Sequence, residues 1–169
     1  MQNKNFKLSG EGNSIATKIE QDSDYNNTLV TSRVFDSGKH RISFKLTKDG
    51  ADDGNMGHLC GVVKDGAAWN KDHALRSGTE GWFMGAGSGG LFGNGKEFSD
   101  EAGKINSGQT LSIEADLDNG TLRFWVDGQP YGPGCTSGVT GRLRFAVSLC
   151  YTDRSVQIVP TPELQAWTE

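Results

Sequence analysis

The chain has 169 residues, of which 34% are hydrophobic and 22% are charged, and its formal net charge at pH 7 is −4. This length suits one hydrophobic core. The acidic balance gives no general electrostatic reason to bind a polyanion, so we expect no nucleic-acid partner. No apolar run approaches the roughly 20 residues that span a bilayer. We therefore expect no membrane partner and an intracellular location, cytoplasmic or nuclear.

Glycine and cysteine usage narrows the class further. The chain has 24 glycines against 4 prolines, which is about twice the usual glycine share and predicts many turns. The three cysteines (Cys60, Cys135 and Cys150) cannot all pair and form no C-x-x-C motif. We interpret them as free thiols, and we expect no metal and no cofactor.

Alternating apolar residues predict a series of half-buried strands. In chain order they cover residues 42–46, 111–117, 122–126, 143–149 and 156–158. The more continuous segments HLCGVV (58–63) and GWFMG (81–85) predict strands buried on both faces. We attribute the hairpin after residue 117 to Asp118, Asn119 and Gly120, because an Asx-Gly pair supplies the positive φ angles that tight hairpin loops require.

Helical periodicity is nearly absent from the chain. Only AAWNKDHALRSG and the C-terminal PELQAWTE could form a short helical turn. Many short strands joined by glycine-rich turns predict an all-β domain in which two antiparallel sheets pack face to face.

Three segments resemble ligand-binding motifs, but each lacks a feature that its motif requires. GAGSGG (85–90) fits the dinucleotide pattern and GLFGNGKE (90–97) nearly fits the phosphate loop, yet no helix is predicted after either. DGADDG (49–54) begins like a calcium loop but has Ala51 at the third position and Cys60 at the twelfth. We interpret all three as turns, and a weak surface calcium site stays open.

Few residues could perform catalysis, and the sequence predicts that the protein is not an enzyme. The histidines have no evident partner, and Cys60 lies inside an apolar strand, where cysteine usually belongs to the core. Glu114 and Asp116 share one face of a strand, as the carboxylates of a sandwich glycosidase would. We favour a polar outer face for this pair, and the glycosidase alternative stays open.

Two tryptophans occupy informative positions. Trp125 lies on the opposite face of its strand from Phe124, so either another segment covers the ring or the ring binds a ligand; we favour coverage. Trp69, in the polar segment KDGAAWNKDH, is either a binding residue or a loop anchor. Aromatic residues on a sheet face also suit a lectin-like, carbohydrate-binding sandwich, which is the alternative function.

The order of these segments resembles the SPRY family, the core of the B30.2 domain. SGKHRISFKL, HLCGVV and GWFMGAGSGGLFGNGKEF resemble its successive strands and its glycine-rich section. INSGQTLSIEADLDNGTLRFWVDGQPYG is similar to its most specific stretch. The resemblance covers about Thr28 to Val159 and departs at Gln109 and Asp127, where the family usually has Asp and Asn. It implies a bent, concanavalin-like β-sandwich without enzyme activity.

The resemblance also implies a division of the chain and a function. Residues 1–27 would be an N-terminal extension that packs on the sandwich, residues 28–159 the SPRY-like domain, and residues 160–169 a C-terminal tail. The implied function is that of a monomeric, noncatalytic interaction module or adaptor. Such modules recognise a short peptide or a protein surface through loops at one rim, which a rigid frame preorganises.

The expected ligand-binding residues are Lys64, Asp65, Trp69, Asn70, Tyr151, Thr152 and Asp153. They belong to the loops VKDGAAWNKD and LCYTDRS, which the family arrangement places near one another. Lys64 and Tyr151 match positions that touch ligand in peptide-binding members, whereas Asp65, Trp69 and Asn70 come from the loop sequence itself. Cations beside these aromatic residues, such as Arg154 and Lys71, would suit an acidic or amide-rich peptide.

Overall fold

The structure, a computed structural model, describes residues 5–19, 28–49, 56–67, 80–93, 96–99 and 102–166. These ranges contain thirteen β-strands and one 3-10 turn at Glu11–Asn13. The strands form two antiparallel sheets, which confirms the predicted all-β sandwich. Among the described residues, no helical segment has the length and apolar composition of a membrane span.

The strands divide into a seven-stranded sheet I and a six-stranded sheet II. In spatial order, sheet I consists of β1 (Phe6–Ser9), β2 (Ile15–Lys18), β13 (Arg154–Val159), β4 (Lys39–Lys48), β9 (Thr110–Asp116), β10 (Thr121–Val126) and β11 (Gln129–Pro130). Sheet II consists of β3 (Thr28–Val30), β12 (Leu143–Leu149), β5 (His58–Lys64), β6 (Gly81–Gly85), β7 (Leu91–Gly93) and β8 (Lys96–Ser99).

The predicted alternation places one face of most strands in the core between the sheets. Phe44, Ile113 and Phe124 of sheet I meet Phe145 of sheet II in this core. The central strands β5 and β6 are almost entirely buried, as their continuous apolar sequences predict. On the other face of these strands, Val63, Phe83 and Ala146 form a second buried cluster. Ile158 departs from the pattern, since its side chain is exposed.

The hairpin turns after β9 and after β10 in sheet I differ from each other. Asp116 pairs with Thr121, so the β9–β10 loop has four residues, 117–120, of which only Gly120 has a positive φ angle. The prediction that an Asx-Gly pair forms a tight turn here is therefore wrong. Asn119 instead donates its backbone and side-chain N–H groups to the Asp116 carboxylate. The predicted geometry occurs in the next turn, where both Asp127 and Gly128 have positive φ.

The C-terminal segment covers part of the outer face of sheet I. The Trp125 indole Nε1 donates to the Gln165 carbonyl at 2.9 Å, and the Gln165 N–H donates to the Gly128 carbonyl at 2.9 Å. The Ser43 hydroxyl donates to Thr161 Oγ1 at 3.0 Å. Coverage of Trp125 is thus confirmed, whereas the predicted C-terminal helix is absent from residues 160–166.

The three cysteines are buried free thiols, as predicted. Burial raises the pKa of the Cys135 thiol to about 12 and raises that of Cys60 as well. In the ranges that the structure covers, no three His, Cys, Asp or Glu side chains form a possible metal site. Residues 50–55 of the calcium-like segment lie outside those ranges.

Candidate functional site

The predicted binding residues that the structure describes lie at two opposite ends of the sandwich. In the β5–β12 pair, Lys64 lies opposite Leu143 and His58 lies opposite Leu149. Lys64 and the turn after Leu149 are therefore about 20 Å apart, since each strand residue advances the chain by about 3.3 Å. The prediction that the two loops lie together is wrong for Lys64 and Asp65 on one side and residues 151–153 on the other. Trp69, Asn70 and Lys71 lie outside the described residues.

The turn between β12 and β13 forms a surface that we call the Tyr151 rim, consisting of residues 151–154, and the buried residues 56–58 lie against it. Backbone hydrogen bonds connect this turn to three other segments. The Cys150 N–H donates to the Gly57 carbonyl at 2.7 Å, and the Asp49 N–H donates to the Asp153 carbonyl at 3.0 Å. The Asp153 N–H donates to the Lys18 carbonyl at 3.2 Å. The conformation of the turn is therefore fixed by its neighbours.

Backbone strain is concentrated in this turn. Tyr151 has φ 68° and Asp153 has φ 62°, both in the left-handed region. For a bulky residue such as tyrosine this conformation is an outlier, and it costs on the order of 1–3 kcal/mol. Gly57 makes room beneath it, because a Cβ atom at Gly57 would lie only 2.5 Å from the Cys150 carbonyl oxygen.

Side chains of the rim form a compact group. The Arg154 guanidinium lies 5.2 Å from the Tyr151 ring centroid, and its Nη1 donates to the Thr152 carbonyl at 3.2 Å. Arg154 is buried, Tyr151 and Thr152 are half-buried, and Asp153 is exposed. The rim thus offers an aromatic ring, a hydroxyl and a carboxylate to solvent, with a cation beneath them.

His58 lies fully buried below the rim. Its Nδ1 is 2.5 Å from the Met56 carbonyl oxygen and its Nε2 is 2.9 Å from the Ser155 carbonyl oxygen. Burial lowers the pKa of His58 to about 4, although both carbonyl groups act in the opposite direction. Sequence reasoning missed this histidine because its partners are backbone groups, which residue types do not reveal.

At the opposite end, Lys64 and Asp65 interact within the protein. Lys64 Nζ lies 5.9 Å from the Trp82 ring centroid. The Asp65 carboxylate accepts a hydrogen bond from Arg144 Nε at 2.8 Å and lies 3.5 Å from Arg142 Nη2. The hydrogen bond from Arg144 lowers the pKa of Asp65. Asp65 therefore holds the start of β12 in place.

Glu114 and Asp116 lie on the outer face of sheet I, nearly buried beneath half-exposed cations. Arg41 donates to the Glu114 carboxylate through Nε, and Lys39 Nζ lies 3.3 Å from Asp116. The hydrogen bond from the Asn119 side chain lowers the pKa of Asp116. A glycosidase acid needs a raised pKa, so Asp116 is unsuited to that role.

The glycine-rich segment 85–90 uses its amides within the fold. The Gly85 N–H donates to the Gly90 carbonyl at 2.8 Å, and the Gly89 N–H donates to the Gly85 carbonyl at 2.7 Å. Strand β7 follows at Leu91, so no helix N-terminus is available to hold a phosphate. This geometry agrees with the interpretation of the segment as a turn.

The chain is similar to known proteins in its fold. No family model matches the sequence, and no curated protein matches it. The structure is similar to the SPRY domain of human HERC1, with TM-score 0.73 and 21% identity over 91% of this chain and 93% of that one. The TRIM65 PSpry domain gives TM-score 0.71 and 15% identity over 94% and 88%. A human SPRY domain gives 0.70 and 17% over 95% and 98%.

Proposed function

We propose that this chain, which has the fold of a SPRY domain, is a noncatalytic interaction module that binds a short peptide or protein surface at the Tyr151 rim. The observation that carries the proposal is the strained conformation of Tyr151, at φ 68°. Such strain persists only where the surrounding structure imposes it, and it clusters at ligand-binding sites. Because hydrogen bonds from three segments fix the turn, a ligand would meet a preorganised surface.

The chemistry of the rim indicates the kind of ligand. Tyr151 offers an aromatic face, Thr152 a hydroxyl group and Asp153 an exposed carboxylate. These groups suit the amide and hydroxyl groups of a polar, amide-rich peptide, which they would contact by stacking and hydrogen bonding. The buried Arg154 orients the Tyr151 ring from below.

The predicted ligand contacts outside the Tyr151 rim are proposed separately. Lys64 and Asp65 are about 20 Å from the rim along β5. They would touch a large partner at a second place, and a short peptide on the Tyr151 rim would not reach them. Trp69 and Asn70 stay proposed contacts on the sequence alone.

We further propose that the domain acts inside the cell, in the cytoplasm or nucleus, as a monomeric adaptor. Three buried free thiols suit a reducing compartment. The lectin-like alternative has lost its main support, since it needed an exposed Trp125 and that ring is buried against Gln165.

A selection of peptides tests the proposal. A phage-displayed random peptide library is panned against the wild-type chain, and the enriched peptides are titrated against Tyr151→Asn. Asparagine tolerates the left-handed conformation, so this variant removes the ring without adding strain. We expect the affinity to fall at least about tenfold, the effect of losing a central aromatic contact. Lys45→Gln is the matched control and should bind as wild type does, because this exposed cation lies opposite Gln157, about 10 Å along β13 from Arg154 of the rim.

Two outcomes would contradict the proposal. Either no peptide is enriched, or the enriched peptides bind Tyr151→Asn as tightly as wild type while the melting curve shows a folded variant. A glycan array with and without calcium would then test the lectin-like alternative.

A further inference from the structure

Strand β4 extends beyond its neighbour β13 in sheet I. β13 pairs with β4 from Lys48 to Ser43, where Val159 ends the ladder. On its other side, β4 stays paired with β9 as far as Lys39, which lies opposite Asp116. Residues 39–42 of β4 thus have β9 on one side and, within the described chain, no strand on the other.

The hydrogen-bond pattern shows which backbone groups face this open side. The Leu46 N–H donates to the Gln109 carbonyl, and the Leu117 N–H donates to the Gly38 carbonyl. In an antiparallel ladder, alternate residues bond to the same neighbour, so even-numbered residues of β4 bond to β9. Lys39 and Arg41 therefore direct their N–H and C=O groups toward the open edge.

A cavity of about 280 Å³ lies at this edge, between β4 and the segment that follows β3. We call it the Arg33 cleft, and its cationic walls are formed by Arg33, Lys39 and Arg41. Phe35 and Ile42 supply apolar surface on the side of the core. Among the described residues that line the cleft, none is acidic.

The positive charge of the cleft is only partly balanced. Lys39 and Arg41 are paired with Glu114 and Asp116 on the outer face of the sheet. Arg33 is exposed, and its guanidinium makes no hydrogen bond or ion pair with any described residue. A ligand with a carboxylate would complement this surplus charge, because guanidinium groups bind carboxylates through two parallel hydrogen bonds.

We propose that the Arg33 cleft binds an extended acidic peptide, which adds to sheet I as a short strand beside residues 39–42. The peptide backbone would exchange hydrogen bonds with Lys39 and Arg41, as in other cases of strand addition. Alternate side chains would face opposite sides of the sheet, so apolar residues would meet Phe35 and Ile42, and acidic residues would meet the cations. The cleft is smaller than the roughly 300–1,000 Å³ of typical ligand pockets, and it suits a short segment.

The test uses a fluorescent eight-residue peptide of alternating valine and glutamate, titrated against the full chain by fluorescence anisotropy. We expect saturable binding that weakens at least about tenfold in Arg33→Gln, the effect of losing one charge-assisted contact. Arg33→Lys should retain part of the affinity, and Lys45→Gln, which removes one positive charge on β4 outside the cleft, should retain all of it. Because exposed charges are screened by salt, 0.5 M NaCl should weaken binding.

Peptide variants separate the two parts of the recognition. Replacing glutamate with glutamine should abolish binding through loss of charge, and methylating alternate backbone nitrogens should abolish it through loss of the strand hydrogen bonds. The proposal is overturned if the glutamine peptide binds equally well, if Arg33→Gln has no effect, or if only sodium tripolyphosphate binds, which would indicate a phosphate site. Tyr151→Asn should bind the acidic peptide as tightly as wild type does, because the Tyr151 rim is a separate site. A failure of the Arg33 cleft proposal can therefore be distinguished from a failure of the proposed function.

Discussion

The two ends of the sandwich are held together in different ways. At the Tyr151 rim, backbone hydrogen bonds among four segments impose left-handed conformations on Tyr151 and Asp153. At the opposite end, side-chain ion pairs dominate, with Arg41 on Glu114 and Arg144 on Asp65. The first end owes its shape to chain geometry, and the second owes it to charges that remain close to solvent.

This difference has a consequence for recognition. A surface fixed by backbone contacts should respond to steric changes and be insensitive to salt. A surface formed by ion pairs with at least one partner in contact with solvent should tolerate steric changes and respond to ionic strength. One sandwich could thus carry a rigid binding surface and an adjustable electrostatic one on the same strands.

The strongest test of this comparison is a pair of glycine substitutions. Gly57→Ala, beneath the Tyr151 rim, adds a Cβ atom 2.5 Å from a backbone oxygen at φ 63°, which should lower the free energy of unfolding by about 2–5 kcal/mol. Gly66→Ala, at the other end, also has positive φ but meets no atom of the described residues within 4 Å, so it should lose only about 1 kcal/mol. Urea denaturation measures both values. Equal losses would remove the steric distinction between the ends.

The next largest effect concerns acid stability. Burial holds the pKa of His58 at about 4 against an ordinary 6.5, so between these values the unfolded chain takes up a proton that the folded chain does not. The free energy of unfolding is therefore highest above about pH 6.5, where His58 is neutral in both states. It falls by roughly 3 kcal/mol in all as the pH decreases to about 4. Urea denaturation from pH 7.5 to 4.5 should show the decline.

His58→Gln provides the control for the acid effect, because glutamine does not titrate. Its stability should change less with pH across the same range, although its absolute stability at pH 7.5 is lower. The lowered pKa values of Asp65 and Asp116 also destabilise the fold in acid, but at lower pH. An identical pH slope in wild type and variant would show that another group controls the effect.

A smaller effect is expected for the ion pairs on sheet I. Glu114→Gln removes the carboxylate partner of Arg41 at a nearly buried position, whereas Lys39 keeps its ion pair with Asp116. Since both cations are half exposed, the loss should be about 1–2 kcal/mol, below that for a fully buried pair. Thermal unfolding in 0.05 M and 0.5 M NaCl checks the cause: the difference between variant and wild type should shrink at high salt. A salt-independent difference would indicate lost packing instead.

The smallest effect is expected for Asp65→Asn, because its carboxylate is more exposed than that of Glu114. The asparagine side chain can still accept a hydrogen bond from Arg144. We expect a lowering of the melting temperature that is measurable at low salt and smaller than that of Glu114→Gln. A larger loss than in Glu114→Gln would reverse the order of the two ion-pair groups.

The sandwich could be predicted from the sequence because alternation at residues such as Phe44, Ile113 and Phe145 reports directly which face meets the core. The coverage of Trp125 followed from the same logic. The placement of the binding residues could not be predicted in this way. Lys64 and Tyr151 lie at opposite ends of the antiparallel β5–β12 pair, and no local sequence pattern reveals the register of that pair. The role of Gly57 was equally hidden, since it depends on a carbonyl group from Cys150, far along the chain. The division of the chain at residues 27 and 160 stays a prediction.

The pairing of early strands with late ones has a consequence for how the protein reaches this structure. β2 pairs with β13, and Thr28 of β3 bonds to Ser148 of β12 across 120 residues of chain. Contacts so distant in sequence make folding slow, because a large loop must close before they form. During synthesis, the β1–β2 edge of sheet I and the β3 edge of sheet II can join their sheets only after β13 and β12 have left the ribosome. We expect the nascent chain to expose unpaired strands for longer than a helical domain of this size, and to depend on chaperones accordingly.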